Sequence, residues 1–196
     1  KEEPGGEKGY GNIDPSFAAD FKVVQTVGSS NSTTAPSVIQ PEVADFKVHM
    51  VREDGSVNKL WNKVSEMKET ETFPVGEYSL DLYYGDLKDE GFDKPYFYGS
   101  TNFSIYDDEV SSPKVVATHC NTMVSLDYTE AFKNYFADYS TTIQSSTGKN
   151  IDFAKNEVRA AYVKPGTIKM SMTLTNKEGK TITIAPTAIN NAQART

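Results

Sequence analysis

I-K-M-S-M-T-L-T (Ile168–Thr175) is the most regular stretch of this 196-residue chain, with apolar and polar side chains changing places at every step. Ile168, Met170, Met172 and Leu174 fall on one side of an extended chain and Lys169, Ser171, Thr173 and Thr175 on the other, because successive side chains of a strand point to opposite faces. A period of two held over eight residues specifies a half-buried β-strand. Asn176–Lys180 (N-K-E-G-K) then turns the chain back into Thr181–Ala185, a hairpin with a loop of about five residues.

The same period recurs upstream. Phe46, Val48 and Met50 share one face of a strand while Lys47 and His49 share the other, and Asp54-Gly55 turns this strand into Val57–Asn62, since Asp-Gly suits a tight hairpin. Tyr78, Leu80 and Leu82 oppose Ser79, Asp81 and Tyr83; Phe97, Phe103 and Ile105 lie on one parity of Tyr96–Tyr106; Val124, Leu126 and Tyr128 oppose Ser125 and Asp127. One helix interrupts the strands, over Glu130–Ala137. Thr129 caps it, and Phe132, Tyr135 and Phe136 form its apolar stripe at i, i+3 and i+4.

About a dozen short strands with turn signals roughly every ten residues build antiparallel sandwiches, because a parallel sheet would need a crossover helix between strands. The expected fold is therefore mainly β: two antiparallel β-sandwich domains in tandem, prealbumin-like or Ig-like, with one short helix near 130–137. Residues 1–11 (KEEPGGEKGYG) form a flexible spacer, 12–110 the first sandwich and 111–196 the second, divided at the breaker around Ser111–Pro113. A single elongated sandwich is the alternative. Gly28–Ser37 (GSSNSTTAPS) reads as a long loop.

Composition excludes several classes of function. With 20 basic and 27 acidic residues the net charge is −7, which disfavours nucleic acid and anionic membrane surfaces as partners. No apolar run reaches 18 residues, so no segment reads as a membrane-spanning helix. A start at Lys1 without Met fits either a removed targeting segment or an ordinary frayed terminus. One cysteine, Cys120, rules out an intrachain disulfide or a cysteine zinc cage, and its alternation with Val116 and Thr118 makes it a small buried hydrophobe. The two imidazoles, His49 and His119, lie on different strands without metal-ligand spacing, and there is no nucleophile elbow, P-loop or dinucleotide fingerprint. No catalytic residue is expected.

Two groups of residues invite a binding role. Asp86, Asp89, Glu90 and Asp93 lie within eight residues; hard oxygen ligands at such spacing suit calcium, although the pattern departs from the EF-hand loop, and a solvated acidic loop has the same composition. Calcium is the sole cofactor suggested. Tyr83, Tyr96 and Tyr98, with Trp61, are candidate ligand contacts, because exposed aromatic rings stack on sugars and anchor protein interfaces. The competing role for tyrosine is half-buried strand packing.

F-P-V-G-E-Y-S-L-D-L-Y-Y-G-D (Phe73–Asp86) resembles the last hairpin of prealbumin-like or carboxypeptidase-regulatory-like sandwiches, where a P-x-G-x-Y turn feeds a core strand. G-F-D-K-P-Y-F-Y-G-S-T-N-F-S-I (Gly91–Ile105), Val115–Cys120, V-S-L-D-Y (Val124–Tyr128) and F-K-N-Y-F-A-D-Y (Phe132–Tyr139) follow in order. Together, across about Ala44–Ala185, they resemble uncharacterised Bacteroidetes surface lipoproteins labelled as cell-adhesion proteins and loosely similar to fimbrillins. The resemblance implies a non-enzymatic adhesin or pilus-related protein, exported, lipidated ahead of the spacer and displayed on the outer membrane. It also implies protein or glycan partners at the cell surface and strand exchange with another subunit. Since no closing apolar strand follows Thr181–Ala185, an open edge is expected in the second sandwich. The alternative function is a glycan-binding accessory protein of a polysaccharide-capture system; a purely structural domain and, last, a carboxylate-based hydrolase are the other readings.

Overall fold

The structure, a computed structural model, describes residues 9–21 and 40–193. Residues 1–8 of the expected spacer over 1–11 and the loop Gly28–Ser37 lie outside the described residues, while the last two residues of that spacer, Tyr10 and Gly11, belong to the strand Tyr10–Ile13, which pairs with Thr72–Pro74. Two compact units are present. Within the described residues the first takes 9–21, 40–84 and 97–119, and the second takes 85–96 and 120–193.

The first unit is a β-sandwich. One layer has six strands, in the order β2 (Ser16–Asp20), β10 (Lys114–His119), β8 (Phe97–Ile105), β6 (Gly76–Tyr84), β3 (Lys47–Arg52) and β4 (Asn58–Trp61). The other has three, β5 (Thr72–Pro74), β1 (Tyr10–Ile13) and β9 (Val110–Ser111). The apolar parity of β3 and β6 becomes the core: Phe46, Val48, Met50, Leu80, Leu82 and Phe97 are fully buried, and Ile13 and Phe73 join them from the three-stranded layer. The β3–β4 turn closes as its sequence demands. Gly55 supplies a φ of 74°, and the Asp54 carboxylate accepts from the Ser56 amide at 2.9 Å. The P-V-G-E-Y turn is held by the Tyr78 hydroxyl, which donates to the Pro74 carbonyl at 2.6 Å, and burial pushes that phenol's pKa up.

The first strands of the unit pair with its last. β1 lies between β5 and β9 and runs parallel to β9, while β2 runs parallel to β10 from Ser16↔Lys114 to Asp20↔Thr118. Both segments change sheets side by side, tied by Asp14 N–H to the Ser111 carbonyl and Ser16 N–H to the Pro113 carbonyl, each 2.9 Å. Where β10 crosses β8, only glycine fits: a Cβ on Gly99 would sit 2.1 Å from the Val116 carbonyl oxygen.

The second unit faces a four-stranded sheet, β13 (Asn150–Phe153), β12 (Phe136–Gln144), β15 (Gly166–Asn176) and β16 (Thr181–Ala192), against three short strands, β11 (Thr122–Val124), β14 (Ala161–Val163) and β7 (Gly91–Phe92). Ile143, Ile151, Phe153, Ala161, Val163 and Ile168 form its core. The alternation pattern sets a domain boundary at 110/111, whereas the contacts set it after His119, because β10 is hydrogen-bonded into the first unit and the β6–β8 connection gives β7 to the second.

Three local expectations are corrected. The helix α1 spans Glu130–Tyr135, with Thr129 Oγ1 accepting from the Phe132 amide at 3.3 Å, and stops short of Ala137 because Phe136 enters the β12 ladder opposite Asn176. Of its stripe, Phe132 packs on Tyr128 and Tyr139, but Tyr135 is 68 % exposed. Cys120 is half-buried, not buried, because Val115, Ala117 and His119 are the core-facing residues of that stretch and Val116 is 53 % exposed. Thr181–Ala185 continues as strand to Ala192.

Candidate functional site

The outer face of the six-stranded sheet is built by the parity left over when the core is filled. With Leu80 and Leu82 inward, β6 must turn Ser79, Asp81 and Tyr83 outward; with Phe97 inward, β8 turns out Tyr98, which is 40 % exposed. Register then aligns them. Tyr83 lies opposite both Tyr98 and Lys47, and Thr118 lies opposite both Tyr98 and Asp20. The result is a transverse row Asp20–Thr118–Tyr98–Tyr83–Lys47 across five hydrogen-bonded strands, about 19 Å long at the usual strand spacing of ~4.8 Å. An acid ends the row on one side, a base on the other, and two phenol rings occupy its middle.

Next to the row the Ser100 hydroxyl donates to Asp81 at 2.6 Å, and His49 Nε2 meets Asn58 Oδ1 at 2.7 Å beside exposed Leu60. Further along the sheet lies a depression of about 490 Å³ lined by Val51, Arg52, Glu53, Glu77, Ser79 and Asn102. Arg52 is already committed, to Asp54 at 2.5 Å and to the Val75 carbonyl at 2.6 Å. The Asp54 carboxyl is held below its ordinary range, first by hydrogen bonds from Ser56 and then by Arg52. The Ser104 hydroxyl donates to one oxygen of Glu77 at 2.6 Å. Aromatic rings beside carboxylate, amide and hydroxyl groups on a rigid sheet suit recognition of a polar ligand that offers hydrogen bonds and a flat C–H face.

The other expected contacts separate from this row. Trp61 pairs with Val48 and faces the core: it is 4 % exposed, packs edge-on against Phe73 with ring centroids 6.1 Å apart, and has the Lys59 ammonium 5.3 Å from its ring. It therefore offers no free ring face to a ligand. Tyr96 is half-buried and belongs to the second unit, where its amide donates to Asn121 Oδ1 at 3.2 Å and its carbonyl accepts from the Cys120 amide at 2.7 Å.

The acidic quartet does not assemble. Asp86 and Asp89 are exposed, and Asp86 accepts from the Lys88 amide at 2.8 Å. Glu90 is 6 % exposed; its carboxylate accepts from the Thr147 hydroxyl and from the Lys164 amide at 3.1 Å, while its carbonyl takes the Lys149 ammonium at 2.5 Å. Asp93 adopts a φ of 55° and lies 3.9 Å from Arg159. Among the described residues no group of three or more His, Cys, Asp or Glu side chains is placed to hold a metal ion. Glu90 is a clasp that fixes residues 85–96 to the second unit.

A cluster around Arg159 went unsignalled in the sequence. The guanidinium stacks 4.5 Å from the Phe92 ring centre and donates from Nε and Nη2 to the two oxygens of Glu157, each at 2.9 Å. Hydrogen bonding from Arg159 holds the Glu157 carboxyl down at about 2. Its residues are 67 positions apart at Phe92 and Arg159, and only the β7–β14 pairing brings them together.

Comparison with known proteins adds the following. A family model described as a domain of unknown function, DUF4493, matches residues 11–196. A search of curated proteins finds no match. Among solved structures, the chain is similar to a "putative cell adhesion protein" from Bacteroides eggerthii at 11 % identity and a TM-score of 0.44, covering 97 % of this chain and 82 % of that one. It is similar to another so described from Bacteroides ovatus at 13 % identity and 0.43, covering 96 % and 89 %. It is also similar to one of the "putative polysaccharide binding proteins (DUF1812)" from Bacteroides thetaiotaomicron at 12 % identity and 0.43, covering 88 % and 79 %.

Proposed function

This chain belongs to the DUF4493 family, and we propose that it is a non-enzymatic cell-surface adhesion protein whose β-sandwiches act through their exposed surfaces. The observation that carries this reading is the row Asp20–Thr118–Tyr98–Tyr83–Lys47, which places two phenol rings and a charge of each sign on one face of a sheet. Ring faces with polar neighbours are the composition that binding surfaces favour. Export, a lipid anchor ahead of the chain and display on the outer membrane complete the proposal, as does a fimbrillin-like, pilus-related role with strand exchange between subunits. Among the described residues no helix is long and apolar enough to cross a membrane.

The second reading is glycan capture, favoured by the depression at Glu53, Glu77, Ser79 and Asn102 on the same face as the tyrosines. Sugars are held by such pairings of stacking rings with carboxylates and amides. Tyr96, in the second unit, is a separate candidate contact. A glycan array and a host-glycoprotein binding assay, run on the native chain and on Tyr83→Ala and Tyr98→Ala, separate the readings. Loss of glycoprotein binding by about 10-fold or more in both variants, with an empty array, supports adhesion to protein. A positive array that both variants silence supports glycan capture, and unchanged binding in both variants removes the row from either role.

A further inference from the structure

Among the described residues β16 is an edge strand, and its edge-blunting features, Pro186 and the register shift there, leave its first five residues unprotected. Its twelve residues, T-I-T-I-A-P-T-A-I-N-N-A, contain no charged side chain, whereas natural edges are blunted by lysines and inward charges. It pairs with β15 alone among the described residues, and every side chain from Thr181 to Ala188 is exposed. The cause lies in the layers. Leu174 and Met172 carry the core-facing parity of β15 to Ile182 and Ile184, their partners on β16. The facing layer of three short strands does not cover these two isoleucines, which stay 45 % and 43 % exposed.

The hairpin fixes which backbone groups face outward. The Asn176 amide donates to the Lys180 carbonyl at 3.0 Å and the Lys180 amide to Asn176 Oδ1 at 2.8 Å, so Asn176 and Lys180 face each other at a bonded position of the hairpin. Bonded and non-bonded pairs alternate along an antiparallel ladder, and the register continues Thr175↔Thr181, Leu174↔Ile182, Thr173↔Thr183 and Met172↔Ile184. Ile182 and Ile184 therefore spend their N–H and C=O on β15. Thr181, Thr183 and Ala185 turn theirs away from it. Pro186, with no N–H, ends this outward-facing set where the register with β15 also shifts.

We infer that Thr181–Ala185 pairs antiparallel with the same segment of a second copy of this chain, about a two-fold axis at Thr183. The segment is close to a palindrome about that residue. Thr183 meets Thr183 of the second copy, Ile182 meets Ile184, and Thr181 meets Ala185, so isoleucines pack on isoleucines and no charge meets its like. The outward N–H and C=O of Thr183 in each copy bond each other, and those of Thr181 and Ala185 do the same. The exposed isoleucines of both copies form one apolar strip along the joined sheets. The contact is isologous and closes at two copies; with only five residues a side it forms a weak dimer that depends on concentration. This goes beyond the adhesion reading and needs neither tyrosine, so it survives or fails separately from it. It also differs from strand donation, in which no Thr183 would lie beside its own copy.

Cysteine cross-linking tests the register. In the 196-residue chain with Cys120→Ser, Thr183→Cys places two thiols on Cα atoms ~5.5 Å apart, within disulfide range. Thr181→Cys faces alanine instead. Mild oxidation should link the Thr183→Cys chain at least about 10-fold faster than the Thr181→Cys chain, and sedimentation equilibrium should show the native chain passing from monomer to dimer as concentration rises. Ile184→Lys, at an exposed site that leaves the fold intact, should weaken that dimer about 10-fold or more. Equal cross-linking at the two positions, a monomer at every concentration, assemblies growing past two copies, or an unchanged dimer in Ile184→Lys would each overturn the inference.

Discussion

Gly99→Ala should cost the first unit about 3 kcal/mol or more, although it adds a single methyl group to a strand. The added Cβ would lie 2.1 Å from the Val116 carbonyl oxygen, 2.7 Å from its carbon and 2.9 Å from the Ala117 Cα. All three are backbone atoms, so no side chain can rotate out of the way. A carbon and an oxygen rest at roughly 3.2 Å or more, so β10 must retreat by about 1 Å from β8, and such overpacking costs about 1–3 kcal/mol, occasionally more. Here the retreat also strains the Thr118↔Tyr98 and His119↔Phe97 pairs and, beyond them, β2, which among the described residues joins the sheet through β10 alone. At about 4–8 °C per kcal/mol for a domain of this size, 3 kcal/mol lowers Tm by roughly 12–24 °C. The assay is chemical and thermal denaturation beside Gly55→Ala, where φ is +74° but nothing lies within 4 Å, so that only the conformational cost of about 1 kcal/mol is expected. A Gly99→Ala penalty no larger than that of Gly55→Ala would refute the close crossing of β10 over β8, and with it the placement of Thr118 in the tyrosine row.

Trp61→Ala removes a core ring and should destabilise the first unit by about 3–5 kcal/mol, read from a shifted denaturation midpoint; a loss under 1 kcal/mol would mean that the ring is free for a ligand after all. Glu157, with its carboxyl held at about 2 against an ordinary 4.5, should favour the folded state fully above pH 4.5 and lose that contribution as pH falls toward 2. Denaturation across pH 2–5 should show this slope, and Arg159→Ala should flatten it. Glu90→Ala should destabilise the second unit by about 2 kcal/mol by leaving the Lys164 amide without its buried acceptor. Millimolar calcium, by contrast, should leave the Tm of the native chain within about 1 °C, and a larger rise would restore a calcium site.

Much of the fold was legible because one-sided burial leaves a strong imprint on sequence. Phe46, Val48 and Met50, then Tyr78, Leu80 and Leu82, alternate as they must if every second side chain enters a core, and each of the six is buried. Tyr83 and Tyr98 could be placed on the outer face by the same count. Their adjacency could not, since it depends on a β6–β8 register that parity leaves free to slide in steps of two. Trp61 was misjudged because a four-residue strand with Leu60 and Trp61 side by side gives no parity to count, and pairing with Val48 decides which goes inward. The acidic quartet shows the opposite failure. Proximity in sequence suggested a cage, but positive φ at Asp93 and burial of Glu90 against Lys164 and Thr147 send the four groups to different surroundings.

The parallel pairing of Ser16–Asp20 with Lys114–Thr118 ties together segments nearly a hundred positions apart. Bringing such distant ends together in an unstructured chain costs on the order of 4 kcal/mol of closure entropy, and folds dominated by remote pairings assemble slowly. A chain emerging vectorially, from a ribosome or a secretion pore, therefore holds Ser16–Asp20 without its β10 partner until about a hundred further residues have followed it. Through that interval the nascent first sandwich lacks its clasp, and anything that shields an unpaired leading segment would govern how much of the protein matures correctly.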